Sequence, residues 1–277
     1  NKFSISNIYK SHLELIKECK PDLVYVITRR HHTGPIALDL INAGLNVFTE
    51  KPMASTYSQC KELTSIASKK NLLYVIGNMR RHDSAVMYAK EYFDKIQINK
   101  NLGEMISFRL YCYAGGDYCN IDGDIKSKYK APTNILKPLA PNWVKKNKIY
   151  EFEKFLTFFV HDINLINYFF EGMPKIQKVI YNKNGGNIQF EYPKFFGTFD
   201  FAYIKQDRWI EGLEILFEKG SIKVELEPAF LRNSPSKVTI YSENKARGNF
   251  LPKIDFNWSF KNQAKDFINC LVNNIDS

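Results

Sequence analysis

Two patterns of hydrophobic spacing divide this chain. From residue 23 to residue 95, short continuous β-rich runs alternate with stretches of helical period. The first run is 23–28 (LVYVIT), and 35–43 then reads as a helix stopped by Gly44, a residue suited to the position just past a helix end. The second run, 47–49, follows at once. Ser55 or Thr56 can cap a helix through residue 68 that places Leu63, Ile66 and Ala67 on one face, and 72–76 (LLYVI) is a third run closed by Gly77. Asp83 and Ser84 open a further helix to about residue 95, and 8–20 reads as a surface helix ahead of it all. Continuous apolar strands joined by short helical crossovers specify a doubly wound parallel sheet.

After Gly103 the period changes to two. The run 105–113 (MISFRLYCY) alternates apolar and polar positions, as a half-buried antiparallel strand does. An irregular, Lys-rich stretch from 115 to about 150 follows, of a length usually reserved for lids or disordered segments. Residues 151–171 return to helix. Strands are expected at 176–182, 187–204, 209–217, 221–227 and 238–241, with hairpin turns at Gly185–Gly186 and Lys219–Gly220, and 260–273 closes as an amphipathic helix. The expected fold class is therefore α/β: a partial doubly wound parallel (Rossmann) sheet over 1–102, then an α+β domain over 103–277 with a large, mostly antiparallel open sheet.

Composition narrows the class. The 277 residues are 44% hydrophobic, 14% aromatic and 25% charged, a globular balance. No apolar run approaches the roughly 18 residues of a membrane helix, so no membrane is expected as a partner. The five scattered cysteines form no C-x-x-C pair, which favours a reducing compartment and a cytoplasmic location. Residue 1 is Asn, so an export signal ahead of it stays open. Net charge is +10, densest from Lys126 to Lys148, yet no helix-turn-helix, finger or RNA-binding pattern accompanies it, and no nucleic acid is expected.

The candidate chemistry gathers where the second run ends, at Glu50-Lys51-Pro52. In open parallel sheets ligands collect beyond the carboxyl ends of the strands, and a lysine there can hydrogen-bond an oxygen and stabilise negative charge. The plain alternative is a Glu–Lys pair at a surface turn. His161, in the aromatic helix FFVHDINLINYFFEG, can act as an acid or base near neutrality, or can be a core histidine satisfied by a carbonyl. Thr157 lies one helical turn before it and Asn164 about one turn after. Adjacent His31 and His32, with His82, lack a third ligand at recognisable spacing, and no metal is expected.

The order strand, Thr28, helix, Ala43-Gly44, strand, Glu50-Lys51-Pro52, helix, strand, Gly77-x-x-x-Arg81 resembles the Gfo/Idh/MocA family, named for glucose–fructose oxidoreductase and inositol dehydrogenase. His161 and the tract Trp209-x-Glu211-Gly212 with Lys219-Gly220 are similar to its carboxyl-terminal domain. The resemblance implies an oxidoreductase using NAD or NADP on a hydroxyl or carbonyl of a sugar, cyclitol or nucleotide-sugar. It implies catalytic Lys51 and His161, a cofactor shelf of Thr28, Glu50, Lys51, Pro52 and Asn78, and substrate contacts from Arg81, Thr157, Asn164 and Trp143. A carbohydrate-like small molecule and a homo-oligomer through the C-terminal sheet are the implied partners, with Lys51 and His161 expected to meet across one crevice.

Three departures qualify it. The glycine-rich turn G-x-G-x-x-G that holds a dinucleotide pyrophosphate has no counterpart before residue 21, so the first half of the sheet is expected to be missing from this chain. The usual Thr-Pro-x-x-x-His is here Thr28-Arg29-Arg30-His31-His32-Thr33, and Asp-x-Gly-x-His-x-x-Asp is here 157–164, with Thr157 and Asn164 at the aspartate positions. These changes keep two other readings open: a redox-neutral, NAD-using glycosidase or lyase, and a non-catalytic ligand-binding paralogue.

Overall fold

A computed structural model describes residues 5–115, 140–243, 248–273 and 275. The chain divides into two compact units: one of residues up to 77 together with those of 130–157 and 265–277, the other of 78–129 and 158–264. The expected boundary near residue 102 is thus replaced by one at Gly77, and the first unit is discontinuous. The reason lies in where the later segments find their cores.

In the first unit, α1 (His12–Glu18) precedes β1 (Leu23–Val26), α2 (Arg30–Asn42), β2 (Asn46–Glu50), α3 (Tyr57–Lys69) and β3 (Tyr74–Gly77). The three strands are parallel in the order β1-β2-β3, with Val24 opposite Val47 and Thr49 opposite Ile76. Successive side chains leave opposite faces. Val26 and Val47 face Leu40 and Ile41 of α2 and Leu63 and Ala67 of α3 in one core. Tyr25 and Phe48 face the other way, and Phe267, 1% exposed, packs across them at 5.5 and 5.2 Å between ring centroids. A fully buried aromatic side chain of this kind is worth several kcal/mol, which explains why 265–277 belongs with the first sheet.

Local chemistry fixes the ends. The Thr56 hydroxyl accepts the Gln59 N–H at 3.3 Å to start α3, and Gly44, at φ +83°, turns the chain out of α2 where a side chain would be strained. Helix α2 begins five residues earlier than the apolar period implies, at Arg30, with Pro35 inside it.

The second unit opens on a short 3₁₀ turn, Met79–His82, capped into α4 (Ser84–Asn99) by Asp83, whose Oδ1 accepts the Ala85 N–H at 2.9 Å. It continues with β4 (Met105–Ala114), the later part of α5 (Ile149–Phe169), β5 (Lys175–Asn182), β6 (Gly185–Glu191), β7 (Phe196–Tyr203), β8 (Ile210–Phe217), β9 (Gly220–Leu226), β10 (Lys237–Ser242) and β11 (Gly248–Phe250), then the start of α6 (Ser259–Asn273). These eight strands form one sheet in the order β11-β10-β9-β8-β4-β7-β6-β5. Two expectations are corrected. The run 187–204 is two strands, broken by a reverse turn at Pro193 that the Tyr192 N–H closes on the Phe195 carbonyl at 2.9 Å. Strand β4 is antiparallel to β8 but parallel to β7, which makes it the sheet's one mixed position.

Candidate functional site

The carboxyl ends of the parallel strands carry the candidate residues of the first unit. Strand β2 delivers Thr49, fully buried, then Glu50, then Lys51 across a cis peptide to Pro52. Burial pushes the Glu50 carboxyl above its ordinary range, and its Oε2 accepts the Lys51 backbone N–H at 3.3 Å. Gly77, the residue beside Glu50 on β3, is a glycine for a reason of space. A Cβ there would stand 3.1 Å from the Phe48 ring and 3.2 Å from Glu50 Oε1. The Thr28 hydroxyl lies 3.3 Å from that of Thr33.

Lys51 looks into a pocket of about 430 Å³ lined by the start of α2, by Pro52 and by the first half of α5. Its Nζ donates to the Thr157 carbonyl at 2.8 Å. Arg30, one residue inside α2, reaches the same stretch of α5. Its Nη1 donates to the Thr157 hydroxyl at 2.6 Å and to the Glu153 carbonyl, while Nε and Nη2 meet Glu153 Oε1 at 3.2 and 3.1 Å. The Thr157 hydroxyl gives its own proton to the Glu153 carbonyl at 2.8 Å. Its single donor and the lone pair facing Arg30 are thus both used. His31 also lines the pocket, its ring 4.2 Å from that of His32; burial first, and then the neighbouring His32, lower its pKa.

The structure therefore brings Lys51, Pro52 and Thr157 to one pocket and adds Arg29, Arg30, His31 and Glu153, which the sequence reading did not assign to a site. Trp143 does not line it: its indole is 77% exposed and sits edge-on to Phe152. Lys126, Lys128, Lys130 and Lys137 of the basic stretch lie outside the described residues.

The second unit holds Asn78, Arg81, His161 and Asn164. His161 is buried on α5. Arg81 donates from Nε to Asn164 Oδ1 at 2.6 Å and lies 4.9 Å over the Tyr168 ring. Arg80, beside it, turns inward, to a buried ion pair with Glu211 and to the Glu227 carbonyl at 2.7 Å. Trp209 Nε1 donates to Glu211 Oε2 at 2.6 Å. Burial and then the Glu211 charge push the Asp162 carboxyl well above the carboxylate range, beside the buried Cys112 thiol. Asp162 is thus core rather than a stand-in for an aspartate at 157.

Comparison with known proteins fits this picture. Residues 1–78 match the family model described as "Oxidoreductase family, NAD-binding Rossmann fold". Over those residues the chain is similar to the Gfo/Idh/MocA oxidoreductases. An uncharacterized oxidoreductase of Schizosaccharomyces pombe is 32% identical over 104 residues, 38% of this chain and 27% of that protein. The inositol 2-dehydrogenase of Salmonella typhimurium is 28% identical over 132 residues, 47% of this chain and 36% of the enzyme. A solved levoglucosan dehydrogenase, in complex with NADH and levoglucosan, shares the fold over all of this chain and 77% of its own, with a TM-score of 0.76 at 16% identity. The chain spans about a quarter of the length of the first curated relatives it matches.

At these strand ends the Phe48 ring and the half-buried Glu50 carboxylate close tightly over Gly77. Among the described residues no glycine-rich turn joins a strand to a helix N-terminus.

Proposed function

We propose that this chain forms the nicotinamide and substrate part of an NAD- or NADP-dependent oxidoreductase acting on a hydroxyl or carbonyl of a sugar, cyclitol or nucleotide-sugar. The observation that carries the reading is Lys51, set at the end of the middle parallel strand with its ammonium directed into a polar pocket. The family match and the relatives named for inositol and levoglucosan support it.

The bound dinucleotide would supply the carbon that gives or takes hydride, with Thr28, Glu50, Lys51, Pro52 and Asn78 as its nicotinamide-side contacts. The Lys51 ammonium hydrogen-bonds the reacting oxygen and stabilises the charge that develops on it. His161 is the group assigned to taking and returning the hydroxyl proton. Arg81 and Asn164, already joined, form a polar substrate wall, and Thr157 acts by orienting Arg30 and Lys51.

Lys51→Ala and His161→Ala, each made in the full-length protein, are expected to lower kcat at least ~10²-fold while leaving nucleotide affinity nearly unchanged. Steady-state kinetics with fluorescence titration of NADH checks this, and full turnover in both variants removes the mechanism. A second reading, a ligand-binding paralogue without turnover, is favoured by the way Thr157 spends its hydroxyl on Arg30 and Glu153. It predicts nucleotide binding with no hydride transfer to any polyol.

A further inference from the structure

The Lys51 pocket carries a cation that the hydride chemistry does not use. Three cationic side chains line it, Arg29, Arg30 and Lys51, against one carboxylate, Glu153. Arg30 and Glu153 cancel each other: they meet through two nitrogens on one oxygen, with side chains only 19% and 17% exposed. Arg29 stands apart from that pair. It is exposed, lines the same cavity, and its guanidinium meets no carboxylate among the described residues.

We propose that the pocket takes an anionic group of the substrate, a carboxylate or a phosphate carried on the sugar, with Arg29 as the residue that selects it. This deepens the oxidoreductase reading and rests on it. A guanidinium presents paired N–H donors matched to the two oxygens of a carboxylate or phosphate, and such charge-assisted bonds are about twice as strong as neutral ones. A neutral polyol would leave that donor pair on water. Arg29 is also the N-cap residue of α2 and gives that helix no side-chain cap. The first-turn amides of a 13-residue helix therefore add partial positive charge on the same side. His31, its pKa lowered, serves as a neutral hydrogen-bonding neighbour rather than a further charge.

The test is calorimetric binding to the full-length protein, without turnover. D-glucuronate and D-glucose 6-phosphate are compared with D-glucose, and acetate and inorganic phosphate serve as probes free of any sugar skeleton. At least one anionic probe is expected to bind about tenfold or more tightly than D-glucose, with that preference shrinking as salt rises. Arg29→Gln should remove most of the preference, and Arg29→Lys should keep part of it; Arg29 is exposed, so both variants should melt as the parent does. Preference for glucuronate and acetate assigns a carboxylate, and preference for glucose 6-phosphate and phosphate assigns a phosphate. Equal binding of charged and neutral probes overturns the proposal. So does a preference untouched by Arg29→Gln, or a loss confined to NADH and NADPH, which would give the charge to the cofactor instead. Because binding is read without hydride transfer, failure here is separable from failure of the Lys51 kinetics.

Discussion

Glu211 and Asp162 are carboxylic acids buried in the same unit, and their removal should have opposite consequences. Glu211 neutralises Arg80, whose burial works against its charge while Glu211 and Asp83 sustain it. Glu211→Ala leaves a buried guanidinium without its partner and is expected to cost about 3–5 kcal/mol in urea unfolding. Burial and the Glu211 charge disfavour the ionised form of Asp162, so Asp162→Asn, which keeps a polar group of similar shape without that charge, should change stability far less at neutral pH. The pH dependence has a definite sign. Asp162 holds its proton to higher pH in the folded chain than in the unfolded one, so native stability from this group falls as pH rises above about 4. The Asp162→Asn protein should lose less stability than the parent over that range. The sequence put Lys51 just past the end of an apolar strand, and β2 does end at Glu50, but Glu-Lys-Pro by itself reads as well as a surface turn. Arg30 and Glu153 were not legible: their contact spans 123 positions, and neither carries a local signal.

Among the elements, those with strong periodicity were readable and those decided by distant partners were not. Strands β1 to β3 and helices α3 and α4 fall close to where continuous apolar runs and Thr or Asp caps put them. The start of α2 was missed because Arg30 to Thr33 carry no apolar period, though α2 extends through them. Pro193 was the available signal for the turn between β6 and β7. The parallel pairing of β4 with β7 is non-local, joining residues about 90 positions apart, and no pattern within either strand announces it. Helix α6 was readable as amphipathic, but not the surface it covers. Phe267→Ala, which uncovers Tyr25 and Phe48, is expected to destabilise the protein by about 3–5 kcal/mol, measured by chemical denaturation.

At the scale of the whole molecule, the eight-stranded sheet presents a face with Tyr111, Leu216 and Tyr241 on it, the last two 45% and 39% exposed. Register places these residues on the same side, through Tyr111 opposite Gly212 and Leu216 opposite Ser221, itself opposite Tyr241. If the proposed homo-oligomer forms through this face, Leu216→Glu should reduce the mass seen by light scattering to that of one chain, with the far-ultraviolet circular dichroism unchanged. No helix of the described residues is long and apolar enough to cross a membrane.

The late arrival of Phe267 bears on how the protein is made. Strands β1 to β3 are complete at Gly77, yet the ring that covers Tyr25 and Phe48 is translated nearly 200 residues later. At roughly 5–20 residues per second, that sheet waits ten seconds or more with an aromatic face bare. Throughout that interval the nascent chain offers a binding surface to chaperones, and a message broken ahead of the Phe267 codon would yield a product that keeps it.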